Sequence, residues 1–506
     1  MNKFIKTAET LKPELYNINH EPVCGAKAVK DENHLHGWKM VSDDTVGELI
    51  HRNGSDIYDF GKHLVGYLSF DIEYTGMFDC PLRLKIIFGE IPAEVAEGFD
   101  GDSGALGRGW LQDEVIVIDD LTQRIELPRR YAFRYVRIIS EWNTGAIKFR
   151  ICNIRCNSVS SADSSCVTPL LESVPEIYHQ IDHASLNTLK NCMQTVFEDG
   201  PKRDRRLWLG DFRLQAKLNY LTFRNFDLCK RCLYLFAGTV DANGRLPACL
   251  YEKPEVHSGE LFIYDYTALF VPTLLEYAEA SGDWKTAEQL WPTALRQLEI
   301  VMDDIDANGL FRDNGKWWLF IDWSESLDKQ TALQGVVIFA LKQGRILAEK
   351  LNITNKMNWM DKEIERLSHA AMKYMYDESE GYFVSGKDRQ LSIASQVWMI
   401  IAGVIEADQA SELLRRCFAS QETVMPAGPY LYHYVLEAML IAGMEDQALE
   451  LINDYWGGML AYGTDTFWEV YDPNDLYLSP YGNHLMNSYC HAWSCTPAYF
   501  LRIQKA

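Results

Sequence analysis

No stretch of the sequence is apolar for long enough to cross a membrane, and residues 1–16 carry lysines without the apolar h-region of a signal peptide. Neither an integral membrane protein nor an exported one is expected, and the reading is a cytoplasmic chain. Positive charge is also in short supply: 49 Lys and Arg stand against 71 Asp and Glu, a formal net charge of −22. Such a chain repels phosphate backbones and anionic lipid, which excludes nucleic acid and membrane surfaces as partners. The twelve cysteines, scattered from Cys24 to Cys495, form no regular framework, the pattern of reduced thiols rather than of a disulfide-stapled fold. Cys229 and Cys232 make a Cys-x-x-Cys pair, but no second pair or His partner follows at zinc spacing, so they read as neighbours one turn apart on a helix. No unit repeats at a fixed period, which argues against a helical solenoid.

What is present is a chain of 506 residues, 47% hydrophobic and 24% charged, which should fold throughout as two or three domains. Aromatic residues reach 12%, with 14 Trp. Flat rings stack on the apolar faces of sugars and equally well fill a large core, so composition alone leaves both readings open. Between residues 40 and 160 apolar and polar residues alternate with period two, as in Val65–Ile72, Leu82–Phe88, Glu114–Ile118 and Tyr135–Ile139, which predicts the strands of a β-sandwich. A Ser-rich stretch from Asn157 to Pro169 has the composition of an inter-domain linker. Beyond it the period becomes helical, with twelve segments beginning near 175, 208, 226, 262, 284, 330, 356, 390, 409, 429, 446 and 488. Twelve helices are what an (α/α)6 barrel needs, and a segment apolar nearly all round, such as Leu261–Val271 with Asp265 and Tyr266 in it, suits its inner ring. Loops at one end of that ring would make a concave pocket.

Four segments carry candidate chemistry. Glu198–Asp211 crowds three aspartates after its first glutamate, Asp199, Asp204 and Asp211, with Arg203, Arg205, Arg206 and Trp208. As plain structure, Gly200-Pro201 is a turn, Asp211 a helix cap and the arginines partners of the acids on a solvated loop. As chemistry, a rigid ring beside clustered carboxylates suits a sugar site. The second segment, Trp456–Tyr471, sets Glu469 directly after Trp468 in a Gly-flanked loop. In the third, Cys490–Ser494, His491 opens the last helix; in the fourth, Trp317–Trp323, Asp322 and Trp323 end an aromatic run that reads as a strand-like piece or as barrel core. Hydrolysis of a glycosidic bond needs one carboxylic acid to protonate the leaving oxygen and one carboxylate to activate water or attack carbon. Asp204 and Glu469 supply that pair only if the fold closes them onto one pocket.

Taken together and in this order, these motifs resemble glycoside hydrolase family 78, the bacterial α-L-rhamnosidases. Asp59–Tyr67, Trp110–Glu114 and Pro128–Arg137 are similar to the sandwich that precedes the barrel in that family; Asp199–Asp204 with Gly210-Asp211 resembles its acid loop, Thr466–Glu469 its base loop and Cys490–Trp493 its sugar-binding histidine. The resemblance implies a β-sandwich over 1–165 and an (α/α)6-barrel catalytic domain over 170–506. A further sandwich found after the barrel in that family is not expected, the chain ending soon after Leu501. The implied activity is inverting removal of terminal α-L-rhamnosyl units, with Asp199, Asp211 and His491 binding hydroxyls and Glu469 as general base. Many members read Arg-Asp-Glu-Arg where this chain reads Arg203-Asp204-Arg205-Arg206. Others place the acid one position earlier, which assigns it to Asp204. On this reading Asp199 or Asp211 raises the pKa of Asp204, and Arg203 and Arg205 orient the acids. Trp208, Tyr266, Trp323 and Trp468 would line the subsite and receive the C6 methyl group, with Asp265 and Asp322 also counted as substrate-binding. No metal or other cofactor is expected; the expected partners are a carbohydrate and, at the level of assembly, a second copy in a homodimer. The alternatives are another (α/α)6 exo-glycosidase, an unsaturated-uronide hydrolase, or a sugar-binding homologue without activity.

Overall fold

A computed structural model describes residues 2–50, 52–76, 81–98, 106–145 and 147–504. Cys80, one of the twelve cysteines, lies outside them; the described cysteines are all free thiols.

After a first helix, α1 (Lys3–Thr10), come nine strands: β1 (Tyr16–His20), β2 (Cys24–Lys30), β3 (Trp38–Ser42), β4 (Ser55–Gly76), β5 (Leu82–Gly89), β6 (Glu114–Ile118), β7 (Ile125–Glu126), β8 (Tyr131–Ser140) and β9 (Ile147–Ser160). A short helix, α2 (Pro92–Ala96), follows β5. The alternation seen in the sequence sets the faces: Leu82, Leu84, Ile86 and Phe88 of β5 are buried while Arg83 between them points outward. They share one apolar core with Phe70 of β4, Phe133 of β8 and Phe149 of β9. The expected sandwich is, among the described residues, a single hydrogen-bonded sheet in the order β1-β9-β4-β8-β5-β6, with β2 and β7 also pairing with β4 and β3 with β2. The reason is the length of β4. Its first part pairs with β8, its register shifts between Asp59 and Leu64, and from Gly66 to Gly76 it pairs with β9.

The helical part comprises α3 (Glu176–Cys192), α4 (Leu209–Leu221), α5 (Phe226–Gly238), α6 (Tyr264–Ser281), α7 (Trp284–Met302), α8 (Gln330–Lys350), α9 (Met357–Tyr374), α10 (Ile393–Ile401), α11 (Ala407–Ala419), α12 (Pro429–Ile441), α13 (Glu445–Leu460) and α14 (Pro497–Ile503). Helix α4 packs on α6, α6 on α8, α8 on α10 and α10 on α12; α12 packs on a 3-10 turn at Ala492–Cys495, and that turn packs back on α4. Around this closed ring, α7 lies against α6 and α8, α9 against α8, α11 against α10 and α12, and α13 against α12 and α3. Burial follows position. Helix α4 is buried without interruption from Leu209 to Asn219, whereas α11 buries only Ala410, Leu413, Leu414 and Cys417, a single stripe at helical spacing. Start signals are local: Asn225 and Asp283 accept the N–H of Leu228 and Thr286 at the heads of α5 and α7.

Two expectations change. The segment from 488 is not one helix but a 3-10 turn followed by α14, because Pro497 lacks the N–H to continue a helix and disfavours the helical conformation in the residue before it. Residues 3–10, expected in the sheet domain, belong to the helical core: Ile5 and Ala8 are buried on α5, and a Cβ on Gly238 would meet Ile5 Cδ1 at 2.5 Å.

Candidate active site

The inner helices α4 and α6 begin with buried carboxylates in their first turns, Asp211 and Asp265, where the helix dipole favours negative charge. At this end of the ring lies a cavity of about 210 Å³, whose wall includes Asp199, Arg203, Asp204, Asp211, Glu469 and His491. Segments far apart in the chain are thus brought onto one space.

Glu469 is held from four sides. Its Oε2 accepts from the Arg203 guanidinium and from Ser488 N–H (3.1 Å), its Oε1 from the Tyr481 hydroxyl, and its own N–H donates to Ser488 O (2.9 Å). Burial would push this carboxyl up, but Arg203, the charge of His491 and the Tyr481 and Ser488 hydrogen bonds hold it below the usual carboxylate range. The other terminal nitrogen of Arg203 stands 3.5 Å from Asp204 Oδ1, so one guanidinium touches both candidate carboxylates. Its Nε donates to Met486 O (2.8 Å), and its plane lies 4.1 Å from the Tyr481 ring centroid.

Asp199 is buried, and its two oxygens accept the N–H groups of Arg206 (3.0 Å) and Asp204 (3.3 Å), which shapes the loop presenting Asp204. Burial and the charge of Asp204 push the Asp199 carboxyl up to about 8. His491 Nε2 lies 3.1 Å from Asp211 Oδ1. Burial lowers the pKa of His491, but the bond to Asp211 and the charges of Glu469, Asp211 and Asp199 more than offset this and raise it; burial also raises Asp211. A Cβ on Gly200 would come within 2.5 Å of Arg203 O, so the turn of this loop needs glycine.

Trp208, Tyr266 and Trp323 also line the cavity, together with Trp318, Phe320 and Trp493. Phe320 stacks on Trp493 at 5.8 Å and meets Trp323 edge-on at 5.1 Å. Gly210 lets Tyr266 approach α4, since a Cβ there would lie 2.3 Å from the ring. The segment 317–323 is a loop rather than a strand, joined to Ile263 by one bridge at Trp318. Ile321 sits at φ +50, a costly conformation for a branched residue.

That loop explains two residues which the cavity wall does not include. Asp265 accepts the N–H groups of Phe320 (3.0 Å) and Ile321 (3.1 Å), and Asp322 those of Trp323 (2.9 Å) and Ala427 (2.6 Å). Both fix the aromatic wall from behind; burial raises Asp265 and pushes Asp322 up to about 7. Trp468 is also absent from the wall. Residues 466–469 run alongside 488–491, with Glu469 N–H on Ser488 O and His491 N–H on Phe467 O, and with Glu469 facing the cavity its neighbour falls on the other side. There Trp468 packs against Tyr462, Tyr471 and Tyr489. Arg205 does not orient the acids either: at φ +62 it turns out to solvent and toward Arg130 O (3.5 Å).

Comparison with known proteins places this geometry. A family model described as the glycosyl hydrolase family 78 alpha-rhamnosidase N-terminal domain matches residues 22–158, and one described as the bacterial alpha-L-rhamnosidase 6 hairpin glycosidase domain matches residues 168–503. The chain belongs to glycoside hydrolase family 78. Among solved structures, this family 78 chain is similar to a rhamnosidase from Klebsiella oxytoca with rhamnose bound, at 41% identity and TM-score 0.96 over 99% of this chain and 98% of that one. A family 78 rhamnosidase of Bacillus sp. GL1 shares the fold at 20% identity and TM-score 0.77, over 92% of this chain and 49% of that one. An α-L-rhamnosidase from Streptomyces avermitilis complexed with L-rhamnose does so at 14% identity and TM-score 0.66, over 91% and 44%. Among curated proteins no match is found.

The glycoside hydrolase has site residues that sequence reasoning missed. Tyr481 lies in a Pro- and Gly-flanked loop whose aromatic content was its only signal. Arg206, named in the candidate segment but given no role, sits between the rings of Trp110 (5.2 Å) and Tyr251 (4.4 Å), and Trp110 and Leu106 carry the wall of the helical cavity into the sheet domain. Trp110 was legible as part of a sheet-domain motif but not as a cavity residue. The sheet domain also grips the loops that carry Asp204 and Glu469. His63 N–H donates to both oxygens of Asp465 (3.1 and 3.0 Å), Glu90 accepts from His63 Nε2 (2.9 Å) and Tyr489 N–H (2.6 Å), and Glu94 pairs with Lys202. Among the described residues no group of three or more His, Cys, Asp or Glu is arranged to hold a metal ion.

Proposed function

We propose that this rhamnose-removing glycoside hydrolase acts on terminal α-L-rhamnosyl units of oligosaccharides or glycosides with inversion, Asp204 serving as general acid and Glu469 as general base. The observation that carries this reading is the Arg203 guanidinium in contact with both carboxylates on one cavity wall. A cation interposed between them favours the wider spacing of inverting pairs, roughly 6.5 to 9.5 Å, which leaves room for a water, over the roughly 5 to 5.5 Å of retaining pairs. Glu469, held ionised, takes a proton from that water as its oxygen attacks the anomeric carbon. The bond to the aglycone breaks on the opposite face and Asp204 protonates the departing oxygen. Asp199, with its raised pKa, keeps a proton beside Asp204 at neutral pH. Arg205, turned outward, leaves the acid role to Asp204.

Substrate hydroxyls fall to Asp199, Asp211 and His491. Trp208 Nε1, Trp323 Nε1 and His491 Nδ1 are buried without a partner among the described residues and supply further groups for them. The ring of rings around Phe320 suits the apolar C6 face of the sugar. The closed helical ring, with alternate helices outside it, supports an (α/α)6 barrel, and with α1 added to the barrel we divide the domains at 165 and 170.

The test varies the leaving group. Asp204→Asn should lose about 10² to 10⁴-fold on an alkyl or sugar aglycone but much less on a nitrophenyl rhamnoside that departs unaided. Glu469→Gln should impair both alike. Wild-type turnover of the unactivated substrate by Asp204→Asn would remove Asp204 from the acid role and move attention to Asp199.

A further inference from the structure

At the boundary between the two domains, the sheet and α3 enclose a second cavity, of about 330 Å³, whose wall shares no residue with the first. Its wall brings Lys62 from the middle of β4 and His20 from β1 together with Asn187 and Lys190 from α3, and is completed by Ser158 of β9 and the connecting segment 162–165. Three basic side chains converge here in a molecule whose net charge is −22.

Their electrostatics are unbalanced. Lys190 is half-buried, and neither it nor Lys62 has a carboxylate within ion-pairing distance among the described residues. Burial and the charge of Lys62 push the pKa of Lys190 down, and no acid opposes them; burial, Lys62 and Lys190 do the same to His20. Among the described residues the wall includes one carboxylate, Asp163, whose Oδ1 is engaged by the N–H and hydroxyl of Ser165 in its own turn. His63, also on the wall, is taken up by Glu90 and Asn191. A partly desolvated cation beside a second cation is unfavourable unless an anion joins them, and a concave surface concentrates the field that attracts one.

We propose that this cavity binds a small phosphate-bearing anion between Lys62 and Lys190, one from each domain. His20, whose Nε2 lies 2.9 Å from Ser158 Oγ, and the Asn187 amide, which reaches only long contacts of 3.4 Å, stand beside them as further donors. The volume exceeds what free phosphate fills and leaves room for a sugar carrying it. Bound there, the anion would tie the sheet to α3 of the helical domain and stabilise the folded chain by mass action. This site is separate from the glycosidase cavity and independent of the roles given to Asp204 and Glu469.

The full chain should be melted at constant pH and ionic strength with inorganic phosphate replacing chloride, and titrated calorimetrically in parallel. The expected result is a saturable rise in Tm of about 2 to 4 °C, together with a measurable binding heat. Lys62→Gln and Lys190→Gln should each weaken binding by about tenfold or more, roughly one lost charge-assisted hydrogen bond. Lys62→Arg should keep it, and all three should hydrolyse an aryl rhamnoside at the wild-type rate. A hexose 6-phosphate that binds more tightly than inorganic phosphate would identify a phosphorylated sugar as the ligand; equal affinity would identify free phosphate. The proposal is overturned by a phosphate response that does not saturate, by one that persists unchanged in both glutamine variants, as general salt stabilisation would, or by an equal response to the unphosphorylated hexose.

Discussion

Tyr481→Phe isolates one hydrogen bond to the proposed base. The ring stays over Arg203, 4.1 Å away, and only the hydroxyl that Glu469 Oε1 accepts is lost. A hydrogen bond to a charged group is worth about 1.5 to 3 kcal/mol, and at 1.36 kcal/mol per pKa unit its full loss would raise Glu469 by about 1 to 2 units. Arg203, His491 and Ser488 N–H still hold the carboxylate down, so the expected rise is near the lower figure, about one unit. The sign follows from the base working in its ionised form. Its folded pKa lies below the ordinary carboxylate value, so the acid limb of activity lies at low pH, and raising that pKa moves the limb upward. Profiles of kcat/KM against pH on a nitrophenyl rhamnoside should show the acid limb displaced upward by about one unit, with the loss greatest on that acid limb and small at neutral pH. An acid limb at the wild-type position, with activity reduced equally at all pH values, would refute the assignment of Glu469 as the titrating base.

Three further outcomes are expected. NMR of the sugar first released, before mutarotation, should show the anomer opposite to the substrate's; retention would make Glu469 a nucleophile. Glu90→Gln should break a buried pair that anchors both His63 and Tyr489, cost about 3 to 5 kcal/mol in thermal or denaturant unfolding, and lower kcat; unchanged stability and kcat would show that the sheet domain does not hold the catalytic loop. Gly210→Ala should force Tyr266 away from α4, destabilising the chain by about 1 to 3 kcal/mol and raising KM; a wild-type KM would exclude Tyr266 from the subsite.

The strands and most helices were legible because their signals are local. Leu82, Leu84, Ile86 and Phe88 alternate, and Ala410, Leu413, Leu414 and Cys417 recur at helical spacing, whatever packs against them. The loop of Asp204 stood out in the sequence as crowded carboxylates and arginines, and that of Glu469 as a glutamate beside Trp468 in a Gly-flanked stretch. What lay beyond reach depended on distant partners. Trp468 and Tyr481 are both aromatic residues in loops, and only the pairing of 466–469 with 488–491 turns the first away from the cavity while the second meets Glu469. Whether Arg203 or Arg205 faces the acids depends on the backbone of Arg205, at φ +62. Nothing near Lys3–Thr10 announces that it packs on a helix more than two hundred residues away.

Closure of the helical ring by Ala492–Cys495 and α14 also has a bearing on synthesis. These pieces pack on α4, from which they are separated by roughly 280 residues, a stretch that takes on the order of tens of seconds to translate at about 5 to 20 residues per second. Throughout that interval α4, α6 and α8 have left the ribosome without the last member of their ring, and faces meant for the interior stay open to solvent. His491 arrives only with that closing segment, after the sheet domain has long been complete. The nascent chain is therefore inactive and most prone to aggregate during the later part of its translation, and its demand for chaperones falls on the helical half.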